Sequence, residues 1–279
     1  MSASATKESI TAPRLALPLW KVAVARSTLE IKQFFREKGQ VVFTFGMPLL
    51  MLVLLASIFK QHIADTGVDA QQIYVTGMLG VGIMATSFQS MVLQVVGERA
   101  NGTLKRLRST PMPKSAYFAG KVAVVLVSSL GQAVILLGLG TAFFGLKLPT
   151  DPARWLTFAW VFVLGIVSCT LLGLAYSSYV RPQSAGAMVF LPVIVLQFIS
   201  GVFIPFNQLP HVLRIIASFF PMKWICQGMR SVFLPDTFRP YEPGHSWGHG
   251  QIALALGAYA VVGLLVCLKT FRWKSRNDG

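Results

Sequence analysis

The chain has 279 residues, 54% of them hydrophobic and only 13% charged, with a formal net charge of +15. A soluble domain usually carries about 25% charged residues; with a mean hydropathy of +0.61, this composition excludes that class and indicates an all-α integral membrane protein. The basic residues flank the apolar runs, as topology-setting and headgroup-facing charges do, which excludes nucleic acid as the partner.

In chain order, residues 1–16 are polar and read as a disordered cytoplasmic tail. Residues 1–38 hold no apolar core of the signal-peptide kind, so insertion is expected to be directed by the first span. Residues 17–40 read as an amphipathic helix. Trp20, Val24, Ile31, Phe34 and Phe35 recur at helical spacing among Lys21, Arg26, Lys32, Arg36 and Lys38, which favours the membrane interface over a purely protein-packed helix. Six apolar runs follow, at about 41–59, 73–96, 122–145, 155–176, 184–204 and 251–268. Each is long enough to cross a hydrocarbon core of roughly 30 Å as a helix. Pro48 and Pro192 fall inside spans, where neighbouring helices can satisfy the freed carbonyls.

Lys60, Lys147, Arg154, Arg214, Lys223, Arg230 and Arg239 lie on one side of this layout, and the other 18 of the 25 Lys and Arg on the opposite side. The richer side is expected to be cytoplasmic, with both termini there. Residues 205–250 are then outside. Leu209 to Phe220 and Met222 to Leu234 are too apolar for a solvated loop and too short to span. They read either as short re-entrant helices before the last span or as a packed cap.

A basic island, residues 98–111, separates the second and third spans within a loop at 97–121. Asn101 is expected to cap a short helix, Gly102 to turn the chain, and Leu104 and Leu107 to share a face rimmed by Lys105, Arg106 and Arg108. Such a knob suits a groove on a soluble partner, although a topology-setting loop has the same composition. Elsewhere no catalytic constellation stands out. The G-x-x-x-x-G-K-[ST] phosphate loop is absent. His245 and His249 sit at a metal-like spacing in a Gly/Pro-rich loop but have too few companions for a metal site. Cys169, Cys226 and Cys267 suggest packing rather than disulfides. The span interiors are expected to lack Asp, Glu, Lys, Arg and His, which argues for energy delivered from outside the bilayer.

Gln89, Gln132 and Gln197 are either interhelical hydrogen-bond partners or substrate-facing groups. A soft wall of Met84, Phe88, Met91, Phe190 and Phe198 would suit an amphiphile, so Met84, Phe88, Gln132, Gln197 and Phe198 are the candidate substrate path. Small residues at Gly77, Gly80 and Gly82, and at Ser184 to Ala187, are candidate contacts between two copies.

Glu98-Arg99-Ala100-Asn101-Gly102-Thr103-Leu104, then Ser109-Thr110-Pro111 and Gly120-Lys121, resembles the signature of type-2 ABC exporter permeases, with Ala100 where the motif has an acid. Gly201-Val202-Phe203-Ile204-Pro205, Leu209-Pro210, Pro221 and Arg230 resemble the run that precedes that family's last span. The feel is closest to the daunorubicin-resistance-like, multidrug subgroup. The resemblance implies a half-transporter that pairs with a second permease of identical sequence and with two ATPase subunits that bind ATP and Mg, leaving this chain without a cofactor. It implies that Glu98, Arg99, Gly102, Thr103, Leu104, Arg106 and Leu107 couple to the ATPase, and that Trp20, Phe34, Phe35 and Arg36 belong to a connecting helix. The implied setting is a bacterial inner membrane. The implied cargo is an amphiphile such as a drug, antibiotic or lipid-like metabolite. A polysaccharide or glycolipid exporter and a non-transporting membrane anchor are the competing readings.

Overall fold

The structure, a computed structural model, describes residues 18–59, 62–63, 67–109, 114–204 and 206–270. The expected tail at 1–16, most of the one at 269–279, and Pro111 and Pro205 of the two motifs lie outside them. The described chain is helical. Helix α1 (Leu19–Arg36) leads through Glu37 into α2 (Lys38–Ile58), and a two-residue antiparallel pairing of His62–Ile63 with Val68–Asp69 closes the link to α3 (Ala70–Met84). A π-helical turn, Ala85–Gln89, joins α3 to α4 (Ser90–Ala100). The short α5 (Thr103–Arg108), α6 (Lys114–Phe143), α7 (Pro152–Ser177), α8 (Ala185–Ile199), α9 (His211–Ser218), α10 (Pro221–Phe233) and α11 (His249–Thr270) follow.

Six helical stretches are long and apolar enough to cross a membrane: Lys38–Ile58, Ala70–Ala100, Ser115–Phe143, Pro152–Ser177, Pro182–Ile199 and His249–Lys269. The second and third outrun the expected boundaries. The 31 residues from Ala70 to Ala100 would extend about 46 Å at 1.5 Å per residue, beyond a core of roughly 30 Å. Consequently Glu98 and Lys121 lie within these helical stretches, just beyond the expected span boundaries at 96 and 122. Pairing to each other lets the two charges be buried without ending either helix.

The segment before the last span forms two short helices, α9 and α10. Helix α10 is buried along its whole length and packs on α3, α7 and α11. Cys226 presses on Gly80, where an added Cβ would come within 2.5 Å of its sulfur. Gly80 lies ten residues into its helix, about 15 Å along the axis, so α10 dips well into the bundle. Above it, Val68, Ile73, Leu234, Phe238 and Trp247 form a small separate core. The glycines expected at a contact between copies are used internally instead. Gly77 meets Val202, Gly80 meets Cys226 and Gly82 meets Gln132, because glycine lets these segments approach the α3 backbone. On α8, Ala185 is buried and Gly186 and Ala187 are exposed.

A buried ion pair fastens α10. Arg230 forks onto the Glu242 carboxylate, with Nη2 at 3.2 Å from Oε2, and its Nη1 donates to the Gly201 carbonyl at 2.9 Å. Gly201 holds φ +77, a left-handed conformation that ends α8 and turns its carbonyl toward the guanidinium. The glycine and arginine of the second motif are therefore two ends of one contact. Nearby, burial pushes the Lys223 amine down to about 8 from its ordinary 10.5, opposed by Glu242 and reinforced by Arg230; its Nζ lies 5.2 Å from the Phe206 ring centre.

Two outcomes follow for unfolding in detergent. Glu242→Gln leaves the Arg230 charge buried without its counter-charge, and should lower stability by about 3–5 kcal/mol, read as a fall in Tm. For Lys223 the folded pKa lies below the unfolded one. Between about 8 and 10.5 the unfolded chain holds a proton that the folded chain has released, so stability rises with pH there. The Tm advantage of Lys223→Met over the parent should therefore be full below pH ~8 and shrink as pH rises through that window.

Candidate functional site

Where α1, α4 and α6 converge, six side chains form a buried polar network. Lys121 of α6 donates to Glu98 at 2.5 Å, to Glu30 at 3.0 Å and to the Gln94 amide oxygen at 3.2 Å. The Tyr117 hydroxyl donates to the other Glu98 oxygen at 2.7 Å. Arg26 pairs with Glu30 one helical turn away and lies 4.0 Å from Glu98. The Lys121 and Glu30 side chains are only 1% and 4% exposed, so their charges persist through mutual compensation: two carboxylates face two cations. Close approach of α1 makes this possible. A Cβ at Gly120 would lie 3.0 Å from Arg26 Cγ and 3.1 Å from Glu30 Cγ. The Gly120-Lys121 pair of the first motif is thus the seat of α1 and the hub of the network.

Helix α5 hangs directly from this network. Ala100 ends α4, and Gly102 at φ +70 reverses the chain into Thr103. The expected Asn101 cap is not used: Gly102 occupies the N-cap position and no side-chain cap bond forms there, because the left-handed turn itself delivers the Gly102 carbonyl to the Arg106 amide at 3.1 Å. The two leucines do not make an exposed knob. Leu104 is 2% exposed, whereas Leu107 is half-buried. The outward surface of α5 is Lys105 and Arg106, with Thr103 half-buried. Arg99 is turned inward and donates to the Ser177 carbonyl at the end of α7 at 3.0 Å, a favourable place for a cation. Of the residues expected to couple to a partner, Glu98, Arg99 and Leu104 are engaged inside the chain. Gly102 shapes the turn, and Arg106 faces outward.

On α1, Phe34 is buried beside Phe45, with ring centres 6.2 Å apart. Trp20, Phe35 and Arg36 are exposed.

A cleft of about 990 Å³ runs from this network up between α2, the π-turn and α8. Its lower wall is polar: Glu30, Gln33, Glu37, Gln94, Glu98, Asn101, Thr103 and Lys121. Its upper wall is soft and apolar: Phe43, Met47, Met51, Met78, Phe190, Ile194, Phe198 and Phe203. Gln89 and Gln197 also line the cleft. Among the candidate path residues, the structure brings Gln197 and Phe198 to the cleft. Met84 is buried against Cys169, with the sulfurs 3.7 Å apart, and Phe88 stacks on Tyr176. Gln132 is 1% exposed and packs over Gly82. The π-turn helps aim the wall. It inserts a wider turn between α3 and α4, held by Thr86, whose hydroxyl donates to the Gly82 carbonyl at 2.8 Å, and π-turns recur at functional sites.

Arg26, Glu30, Gln94 and Tyr117 are functional candidates that sequence reasoning missed. The signals available were the i, i+4 spacing of Arg26 and Glu30 and the Gly120-Lys121 pair. Neither reveals that Lys121 and Glu30, 91 positions apart, are partners. Farther along, His245 and His249 are separated in function: one bonds the Pro240 carbonyl and the other the Ser231 hydroxyl. Among the described residues no group of three or more His, Cys, Asp or Glu could hold a metal ion.

Residues 20–234 match the family described as ABC-2 type transporter. The chain is similar to a protein named as a transport permease, YvfS, of Bacillus subtilis (strain 168), with 21% identity over 201 residues covering 70% of this chain and 79% of that protein. It is also similar to one named as a transport permease, ycf38, of Porphyra purpurea, with 27% identity over 251 residues and 84% of each covered.

Removing the hub of the network tests its weight. Lys121→Met leaves Glu30 and Glu98 facing each other, and should cost about 3–5 kcal/mol, whereas Lys121→Arg, which keeps the charge, should cost less. Thermal unfolding of the purified variants in detergent checks both.

Proposed function

The chain belongs to the ABC-2 type transporter family and is a non-catalytic permease subunit; on that premise we propose that it exports an amphiphilic substrate, driven through α5 by a separate ATPase. ABC-2 permeases pair with ABC ATPase subunits. In this reading two such subunits bind ATP and Mg, a second and identical permease completes the path, and the end bearing α1 and α5 is cytoplasmic in a bacterial inner membrane, with both termini on that side. Helix α1 acts as the connecting helix.

The observation that carries this reading is the Lys121 network. Glu98 lies on α4 just before the turn into α5, and it is bonded to α6, which is bonded to α1. The same Glu30, Glu98 and Lys121 side chains line the cleft. A push on α5 from below therefore acts on groups that form the cleft's lower wall. Leverage of this kind needs no catalytic group in the chain. It is the coupling free energy between two sites that share a packed network.

The lining supports the amphiphile. Polar amides and carboxylates at one end and Phe and Met side chains at the other match a molecule with a polar head and an apolar body. A glycan would meet an apolar upper wall that offers it few hydrogen bonds, which weighs against the polysaccharide reading. A drug or antibiotic of the kind handled by the daunorubicin-resistance-like subgroup fits best, as multidrug efflux.

Exposed Arg106 is the sharpest probe of the docking step, since Leu104 substitutions would disturb the fold itself. Arg106→Glu should abolish co-purification with the cognate ATPase while membrane insertion and detergent melting stay unchanged. Retained co-purification would remove α5 as the docking element.

A further inference from the structure

The polar floor of the cleft holds one negative charge that nothing in the cleft offsets. Within the network the count is even: Glu30 and Glu98 face Lys121 and Arg26. Lys121 is the one cation among the described lining residues, and its three N–H donors are all taken, by Glu98, Glu30 and Gln94. Arg26 pairs with Glu30 and is not part of the lining. Glu37 does line the cleft, at the non-helical joint between α1 and α2, and its side chain is exposed. Among the described residues its carboxylate makes no hydrogen bond or ion pair. Its chain neighbours Arg36 and Lys38 are exposed and are not part of the lining. Gln33 and Gln40, on either side of it in the chain, also line the cleft and carry amide oxygens that can accept from an ammonium.

We infer that the cleft selects a cationic amphiphile, with Glu37 as the counter-ion that receives its positively charged head. This rests on the reading of the cleft as the place of an amphiphilic substrate, and narrows that substrate to one sign of charge. An anionic head meets a saturated ammonium and the uncompensated charge of Glu37, which repels it. A neutral head gains hydrogen bonds but no charge pair. A cationic head gains both, in a cleft whose apolar upper wall holds the local dielectric below that of water. The aromatic lining favours the same sign. The Phe43 and Phe190 rings lie 5.0 Å apart and those of Phe198 and Phe203 4.9 Å apart, and their electron-rich faces prefer a cation to an anion. Glu37 stands outside the Lys121 network, so a cation can pair with it without breaking any bond of that network.

Tetraphenylphosphonium and tetraphenylborate, two ions of similar size and shape and opposite charge, separate the effect of charge from that of apolar surface. Equilibrium dialysis of each radiolabelled ion against the purified full-length chain, in a nonionic detergent and without ATPase, reads the binding that excess unlabelled ion displaces. Tetraphenylphosphonium should bind saturably, and tetraphenylborate at least about tenfold more weakly. Glu37→Gln should weaken the cation about tenfold with its melting unchanged, since the side chain is exposed and makes no bond that holds the fold. Glu37→Lys should reverse the preference between the two ions. Phe198→Ala, on the apolar wall, should weaken the cation without reversing the preference. Equal affinity for the two ions, or cation binding unchanged in Glu37→Gln, overturns the charge selection and leaves the cleft as an amphiphile site. Absence of saturable binding for both ions overturns the charge selection and the amphiphile site together. Because no ATPase is present, none of these results bears on the docking role of α5.

Discussion

The structure turns on a lysine that has no business in a membrane helix unless its charge is answered. Lys121 is almost wholly buried, and its ammonium is satisfied by Glu98, Glu30 and Gln94. Removing either carboxylate would leave positive charge in excess in a medium that solvates it poorly, which is costlier than forgoing the pair altogether. The network forces α1, α4 and α6 to keep a fixed mutual geometry at one end of the bundle. Everything that distinguishes this end follows from that constraint: Gly120 clears the space, α1 is drawn onto α6, and α5 is suspended from α4 two residues beyond the last helical turn.

A second buried pair does the same at the far end. Arg230 and Glu242 are each nearly inaccessible, and the arginine's remaining donor goes to the Gly201 carbonyl. Between them the two ion pairs pin the segments that a hydrophobic effect alone would leave loosely placed, since acyl chains are as apolar as the helix faces they compete with. Close packing at Gly80 and Cys226 then sets the depth of α10. Charge sets the register of these elements, and small residues set their separation.

The six spans were legible because twenty-residue apolar runs have one physical explanation. Their ends were not, because a charged residue lowers local hydropathy whether or not a partner elsewhere neutralises it. Glu98 and Lys121 therefore looked like loop residues, although each continues a helix. Helix α10 was ambiguous for the same reason: Lys223 and Arg230 read as outside charges, yet both are buried. Within the island, Lys105 and Arg106 face outward as expected, whereas Leu104 packs inward. Gln132 and Gln197 show the limit most plainly. They are the same residue type in comparable apolar runs, and one is sealed against α3 while the other lines the cleft. Which face of a span looks inward is decided by partners distant in sequence.

How a displacement of α5 would spread depends on which helices are held. The helix from Ala70 to Ala100 is the best embedded, with 78% of its apolar window buried, whereas α2 and the α8 span have 22% and 28%. A packed helix moves as a rigid body or not at all, because its neighbours have few alternative arrangements. Helices α2 and α8 are the other walls of the cleft, and they touch across it through the Phe43 and Phe190 rings at 5.0 Å. Helix α2 is also separated from α1 by the non-helical Glu37 joint, so α1 can follow α4 through the charge network without bending α2. The proposed stroke would then change the cleft by moving its firmly held polar floor relative to loosely held aromatic walls. Both helices also leave apolar side chains uncovered away from the cleft, Leu50 and Leu54 on α2 and Leu191 and Val195 on α8. A second permease seated there would enclose the path and give the walls something to move against.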